Sequence, residues 1–283
     1  SLLGTSVSDE INTLSGVKYV LTNTGMLPNY GYTYRQTTEG IDIYENEYAL
    51  PLVYGYTAYM YRTDFDKLSV QEKKDAMLQY CILEEGEASE ELVDYPKGSS
   101  IDRDKMLEDY GVIWERMEDT IRFEQNTKGN VVVLKLKTED VSTGKSKNYI
   151  HFREGLEKSD KVEISIPAVG EEVLLTFNQE GINELVFDLG EKVDLQVVNL
   201  AIIPQQVYYA HYRECIEELK AIQAQKVIID EAASRMTGRI SVKTPTQLCF
   251  SIPYDQNWKL YLNGEETPLQ KENICFIGAF CEE

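Results

Sequence analysis

Val131-Val-Val-Leu-Lys-Leu-Lys137 opens the stretch on which the fold turns. Five segments of the same kind follow it. They are Lys147-Asn-Tyr-Ile-His-Phe152, Lys161-Val-Glu-Ile-Ser-Ile-Pro167, Glu172-Val-Leu-Leu-Thr-Phe177, Glu184-Leu-Val-Phe-Asp-Leu189 and Val193-Asp-Leu-Gln-Val-Val-Asn-Leu-Ala-Ile-Ile203. β-Branched, aromatic and leucine side chains dominate them, which suits a pleated, half-buried surface. Turn signals at Thr143-Gly144, Ala168-Val-Gly170 and Leu189-Gly190 separate them about every ten residues, the cadence of a β-sandwich. No strand–helix alternation points to a wound parallel sheet. The expected fold class is mainly β with a few helices (α+β): a jelly-roll-like β-sandwich inserted into a smaller β-rich part.

Working outward, the N-terminal flank is also β. Gly16 to Thr22 reads as a short strand. Tyr30, Tyr32 and Tyr34 share parity, and so do Tyr54 and Tyr56. Ser69 with Glu72 three residues on is a capping box, so a helix is expected over Val70 to Leu83. Residues 84–119 carry 13 Asp or Glu against 4 Lys or Arg and contain Pro96, Gly98, Ser99 and Ser100, so an acidic loop is expected there. A second helix is expected from about Val207 to Ala224, with Tyr208, Tyr212, Cys215, Ile216, Leu219 and Ile222 on one stripe. Strands resume at Lys226–Ile229, Arg239–Val242, Leu248–Ile252, Lys259–Leu262 and Ile274–Phe280. These readings divide the chain into 1–63 with 226–283, a connecting segment 64–125, and a sandwich with its helix at 126–225.

The bulk properties exclude several functions. The chain has 283 residues and a net charge of −20. Phosphates would be repelled by such a surface, so nucleic acid is not an expected partner, nor is docking on anionic lipid by overall charge. Cys81, Cys215, Cys249, Cys275 and Cys281 form an odd, scattered set without a Cys-x-x-Cys, which argues against a disulfide framework or a zinc site. Cys249 and Cys275 fall in strand-like runs and read as buried thiols. There are two histidines, His151 and His211; His211 and Cys215 are four apart on a helix, two potential ligands where a metal needs three or four. Asp102-Arg-Asp104 is a single Asp-x-Asp in an acidic stretch. No nucleophile elbow, dinucleotide fingerprint or phosphate loop occurs. No cofactor is expected, although carboxylates of the acidic segment or the sandwich leave room for a structural calcium ion.

Near the C-terminus, Ser251-Ile-Pro-Tyr-Asp-Gln-Asn-Trp-Lys-Leu-Tyr-Leu-Asn-Gly264 predicts a β-hairpin with a buried Trp258, closed at Asn263-Gly264 where both residues tolerate φ > 0. The chain begins Ser1-Leu-Leu-Gly4 and stops just after an apolar run, which reads as a piece of something longer. No window approaches the ~20 apolar residues needed to span a bilayer.

Three segments resemble the extracytoplasmic part of the YfhO family of bacterial membrane proteins. They are Gly16-Val-Lys-Tyr-Val-Leu-Thr22, Ile43-Tyr-Glu-Asn-Glu-Tyr-Ala-Leu-Pro-Leu-Val53 and Ser251–Gly264. The family phrases look like N-V-K-Y-V-L, V-Y-E-N-x-x-A-L-P and S-I-P-Y-D-x-G-W-x-V-x-V-D-G, in the same order and rough spacing. Asn257 stands where the family usually has Gly, and Asn263 where it usually has Asp.

The resemblance implies a polytopic membrane protein with a C-type glycosyltransferase-like core. Such a protein would move a sugar from a polyprenyl-phosphate donor to a cell-surface polymer such as lipoteichoic acid. The family's acidic catalytic residue lies in an early external loop outside this chain, so no catalytic residue and no metal ligand is carried over. The chain would be a domain on the extracytoplasmic face of a bacterial cell membrane, tethered by membrane helices of the same parent chain. The 1–63 and 226–283 strands would pack together near the membrane.

The expected role is acceptor guidance or glycan binding, with Tyr54, Tyr56, Tyr254 and Trp258 as candidate glycan contacts, because aromatic faces stack on sugars. The rival readings are a non-catalytic structural or protein-interaction ectodomain, and a secreted carbohydrate-binding or glycosidase module.

Overall fold

The computed structural model describes residues 9–23, 30–95, 101–141, 148–154, 157–164, 166, 168–178, 181–189 and 193–282. The fold is mainly β, with several antiparallel sheets and few helices. Two compact units divide it, one built on Ile101–Ala210 and the other on Gly31–Ser100 with His211–Glu283. The boundaries therefore fall at 101 and 210. The 64–125 segment is shared between the two units, and the helix after residue 210 joins the second unit.

The first unit is a β-sandwich. One sheet has Asn130–Val141 at its centre, flanked by Glu172–Phe177 and Val193–Pro204. The other orders Glu157–Ile164, Asn148–Glu154, Glu184–Asp188, Thr120–Phe123 and Trp114–Met117, antiparallel throughout. Strand parity decides what faces the core. Val132, Leu134 and Leu136 meet Ile121, Ile150, Phe152, Leu185 and Phe187 between the sheets. Val131 and Val133 point the other way, into a smaller cluster with Leu107, Ala201 and Ile203.

The long Val193–Pro204 strand changes parity part-way. Leu195 and Val197 face the inner core, and so do Leu200 and Ile202. A bulge explains the switch: Lys135 pairs with Asn199 and Leu136 with Val197, which leaves Val198 without a partner position and exposed.

The helix Arg103–Asp109 belongs to this unit. Asp102 caps it, its side chain accepting from the Lys105 N–H at 2.9 Å, and Asp104 pairs with Lys135 at 2.7 Å. The Asp-x-Asp thus has two structural duties. Gln205–Tyr208 follows the last strand, and Tyr209 breaks it from Ala210–Ala221 at the unit boundary, so the single expected helix is two. The turns at Thr143-Gly144 and Gly190, and the loop at 96–100, lie outside the described residues.

In the second unit, strands from both ends of the chain share one sheet. Val53–Tyr56 pairs with Thr246–Pro253, which pairs with Phe276–Cys281, which pairs with Gln270–Glu272. Ser69 and Glu72 close the expected capping box, but the helix stops at Gln79. Cys81–Leu83 forms a buried parallel strand beside Ala58–Tyr61, where packing overrides helical spacing. The Val70–Gln79 helix is therefore the crossover of a short βαβ unit, absent from the expectation because its strands are only three and four residues long.

Candidate functional site

Tyr54 and Tyr56 sit in the core of the second unit, 0% and 2% exposed. The Tyr54 hydroxyl donates to Leu14 O at 3.1 Å and the Tyr56 hydroxyl to Met77 O at 2.8 Å. Their shared parity holds, but both rings point inward, where burial raises both phenol pKa values. No face of either ring is left for a sugar.

Tyr254 and Trp258 are brought together. Each is 38% exposed, and they line a cleft of about 340 Å³ with Gln256, Lys259, Thr267 and Pro268. The local sequence builds it in steps. Tyr254 N–H donates to Cys275 O at 2.7 Å as the Thr246–Pro253 strand ends. Asp255 then makes a tight turn, its Oδ1 accepting from Asn257 N at 2.8 Å and Asn257 Nδ2 at 2.7 Å, while Trp258 N donates to Asp255 O at 3.1 Å. Leu260–Leu262 pairs with Glu265–Thr267 across Asn263 (φ 53°) and Gly264 (φ 91°), the expected two-residue turn.

Trp258 is not the buried residue that was expected. The Leu260–Leu262 strand belongs to a two-stranded ribbon, and among the described residues no third strand extends it. Across the ribbon Lys259 pairs with Glu266 at 3.2 Å, so these two charges cancel, and Tyr261 donates to Glu266 at 3.4 Å. The cleft combines two aromatic faces, amide and hydroxyl groups and a neutralised ion pair. Chemically it can stack against and hydrogen-bond a neutral polyol.

The remaining constellations are structural. His211 Nε2 lies 3.4 Å from Cys215 Sγ, and His151 Nε2 lies 3.5 Å from Asp188 Oδ2. Among the described residues no group of three or more His, Cys, Asp or Glu converges to hold a metal. All five cysteines are free; Cys249 is buried as expected, whereas Cys275 is exposed because it follows a hairpin turn at Asn273-Ile274. Among the described residues no helix is long and apolar enough to cross a membrane.

Residues 7–282 match the family described as Bacterial membrane protein YfhO. The chain belongs to the YfhO family. A relative described as Uncharacterized protein YfhO, from Bacillus subtilis (strain 168), is 22% identical over 300 residues, covering 96% of this chain and 32% of that protein. The chain thus spans about a third of that relative's length. No solved structure matches it.

The three YfhO-like segments meet in the second unit. Gly16 (φ 68°) lies so close to Leu50 that a Cβ there would come within 3.0 Å of its carbonyl and 3.8 Å of Ser251 Oγ. Asn46 Nδ2 donates to Thr13 Oγ1 and to Val17 O, both at 3.2 Å, and Ser251 N donates to Leu52 O at 2.9 Å. The wording shared with the family is thus first a wiring diagram that ties both chain halves together. Of its two departures, Asn263 adopts the left-handed region at φ 53°, whereas Asn257 does not enter it; its two bonds to Asp255 make the turn instead.

Sequence reasoning missed Glu272. It is fully buried, takes a hydrogen bond from Gln247 Nε2 at 2.5 Å, and among the described residues its Oε2 has no hydrogen-bond partner. Burial pushes its pKa up to about 8, against the opposing pull of the neighbouring Gln247, Cys81 and Cys249 side chains. A signal was present in Gly278: a Cβ there would overlap the Glu272 carboxyl, and glycine inside a strand marks such an approach.

Proposed function

We propose that this chain is the extracytoplasmic domain of a polytopic, glycosyltransferase-like membrane protein, and that it guides or holds the cell-surface polymer that the membrane part modifies. The aromatic cleft of Tyr254 and Trp258 carries the reading. Family membership supports the membrane tether. The cancelled charges of Lys259 and Glu266 favour the neutral sugar or polyol portion of the polymer over its phosphates, which a chain of net charge −20 would repel. The donor would be a polyprenyl-phosphate sugar and the acceptor lipoteichoic acid or a related polymer. Catalysis is assigned to the membrane part: a glycosidase needs two carboxylates roughly 5–9.5 Å apart across its cleft, and among the described residues Glu266 is the one carboxylate lining this one.

The test uses fluorescence. In a Trp114→Phe background Trp258 is the sole indole. Titration with glycosylated polyglycerol phosphate fragments is expected to shift its emission, and Trp258→Ala with Tyr254→Ala is expected to abolish binding seen by calorimetry. Binding that survives both substitutions would move the polymer site away from this cleft, and no binding at all would turn the reading to a domain that contacts only protein.

A further inference from the structure

The hairpin formed by Gln225–Asp230 and Arg235–Arg239 has the wrong surface for a solvated ribbon. It forms a two-stranded sheet of its own. Adjacent residues on a strand point to opposite faces, yet Ile228 and Ile229 are 63% and 62% exposed. Ile229 is paired with a partly exposed Met236 and Ile228 with Thr237. A ribbon with an apolar side chain bare on each face lacks the layer that normally stabilises a two-stranded hairpin.

Its charge is also reversed. The chain as a whole is −20, but the hairpin, residues 225–239, carries Lys226, Arg235 and Arg239 against Asp230 and Glu231, a local balance of +1. Among the described residues no ion pair engages Lys226, Arg235 or Arg239. Exposed aliphatic side chains flanked by uncommitted cations match the boundary between anionic headgroups and acyl chains. At physiological salt the screening length is about 8 Å, so a docking ribbon feels its own cations more than distant carboxylates. The overall acidity, which excludes lipid docking by net charge, does not govern this segment.

We propose that the Gln225–Arg239 hairpin is a membrane-docking element that rests by one face on an anionic bilayer, with Ile229 and its cross-strand partner Met236 entering the interface and Lys226, Arg235 and Arg239 meeting phosphate headgroups. The membership of the chain in a membrane-protein family places a bilayer within reach.

Flotation of the 283-residue chain with phosphatidylglycerol–phosphatidylcholine vesicles in excess lipid tests it, with pure phosphatidylcholine vesicles as the second arm. The chain is expected to float with the anionic vesicles, to be released by high salt, and to stay behind with phosphatidylcholine. Ile229→Ser, and separately Lys226→Glu with Arg239→Glu, are expected to lower the floated fraction at least tenfold while leaving the melting temperature unchanged, since all three side chains are exposed. No flotation, or flotation indifferent to both variants, would overturn the proposal. So would a dimer in sedimentation that these substitutions dissolve without any lipid effect, because the hairpin would then be a subunit contact.

Discussion

Asn273 holds more of the second unit together than its surface-like sequence context suggests. It adopts φ 43°, its Oδ1 accepts from Ile82 N at 3.0 Å, and its Nδ2 donates to the Tyr56 hydroxyl at 3.1 Å, all in the core. Removing the amide strands the buried Ile82 N–H and takes a donor from the Tyr56 hydroxyl, which keeps its bond to Met77 O. Asn273→Ala is expected to lower the unfolding free energy by about 2–4 kcal/mol. Asn273→Gly should fare about 1 kcal/mol better than Ala, because glycine carries no penalty in the left-handed region. Chemical denaturation of the two variants checks both numbers. Glu272 makes a pH prediction. Its folded pKa of about 8 lies above the ordinary 4.5. Between those values the unfolded chain has released a proton that the folded chain keeps. This group's contribution to stability is therefore full below about pH 4.5, falls by up to about 1.4 kcal/mol per pH unit, and is lost as pH rises through about 8. Glu272→Gln removes the titration while Cys81, Cys249 and Gln247 stay in place, with Glu87 also acting on the site. Its stability relative to the parent is expected to climb with pH across that window; a difference that stays flat would mean that Glu272 is not a buried, protonated carboxyl.

Elements show where local chemistry suffices. The Val70–Gln79 helix starts where Ser69 and Glu72 say it should, because a capping box is satisfied within four residues. Ser69→Ala is expected to cost about 1 kcal/mol, read as a lower melting temperature. Its C-terminal end was not legible: Cys81 continues the helical spacing, and only the parallel pairing with Ala58–Tyr61 makes it a strand. The Val193–Pro204 strand was legible as a strand but not as a bulged one. Its apolar residues switch parity between Val197 and Leu200, and that switch makes sense only with the partner strand's register in hand. In the C-terminal ribbon, Asn263-Gly264 specified its turn because both positions need φ > 0. Whether Trp258 is covered depends on which strands join the ribbon, and among the described residues no third one does.

Across the whole molecule, the main hydrophobic clusters of the two units have different membership. A sandwich that begins at residue 101 and returns at 210 sits between segments that share a sheet, Val53–Tyr56 with Thr246–Pro253. Such an insertion is tolerated because loop-closure entropy grows only logarithmically with length. Leu134 is 0% exposed in the sandwich core. Leu134→Ala is expected to destabilise by about 2–5 kcal/mol, and hydrogen exchange should accelerate first in the sandwich strands, with the Thr246–Pro253 sheet still protected. Simultaneous loss of protection in both units would show one cooperative body instead. By itself the sequence determined the β class, the strand cadence, the capping box, the hairpin turn and the family, because each is written in residues close together along the chain. Tertiary structure alone decided that Tyr54 and Tyr56 are core while Tyr254 and Trp258 frame a cleft, that Glu272 is buried, and that Ile228 and Ile229 are bare. Alternation says which residues share a face, but what covers that face is set by segments up to two hundred positions away.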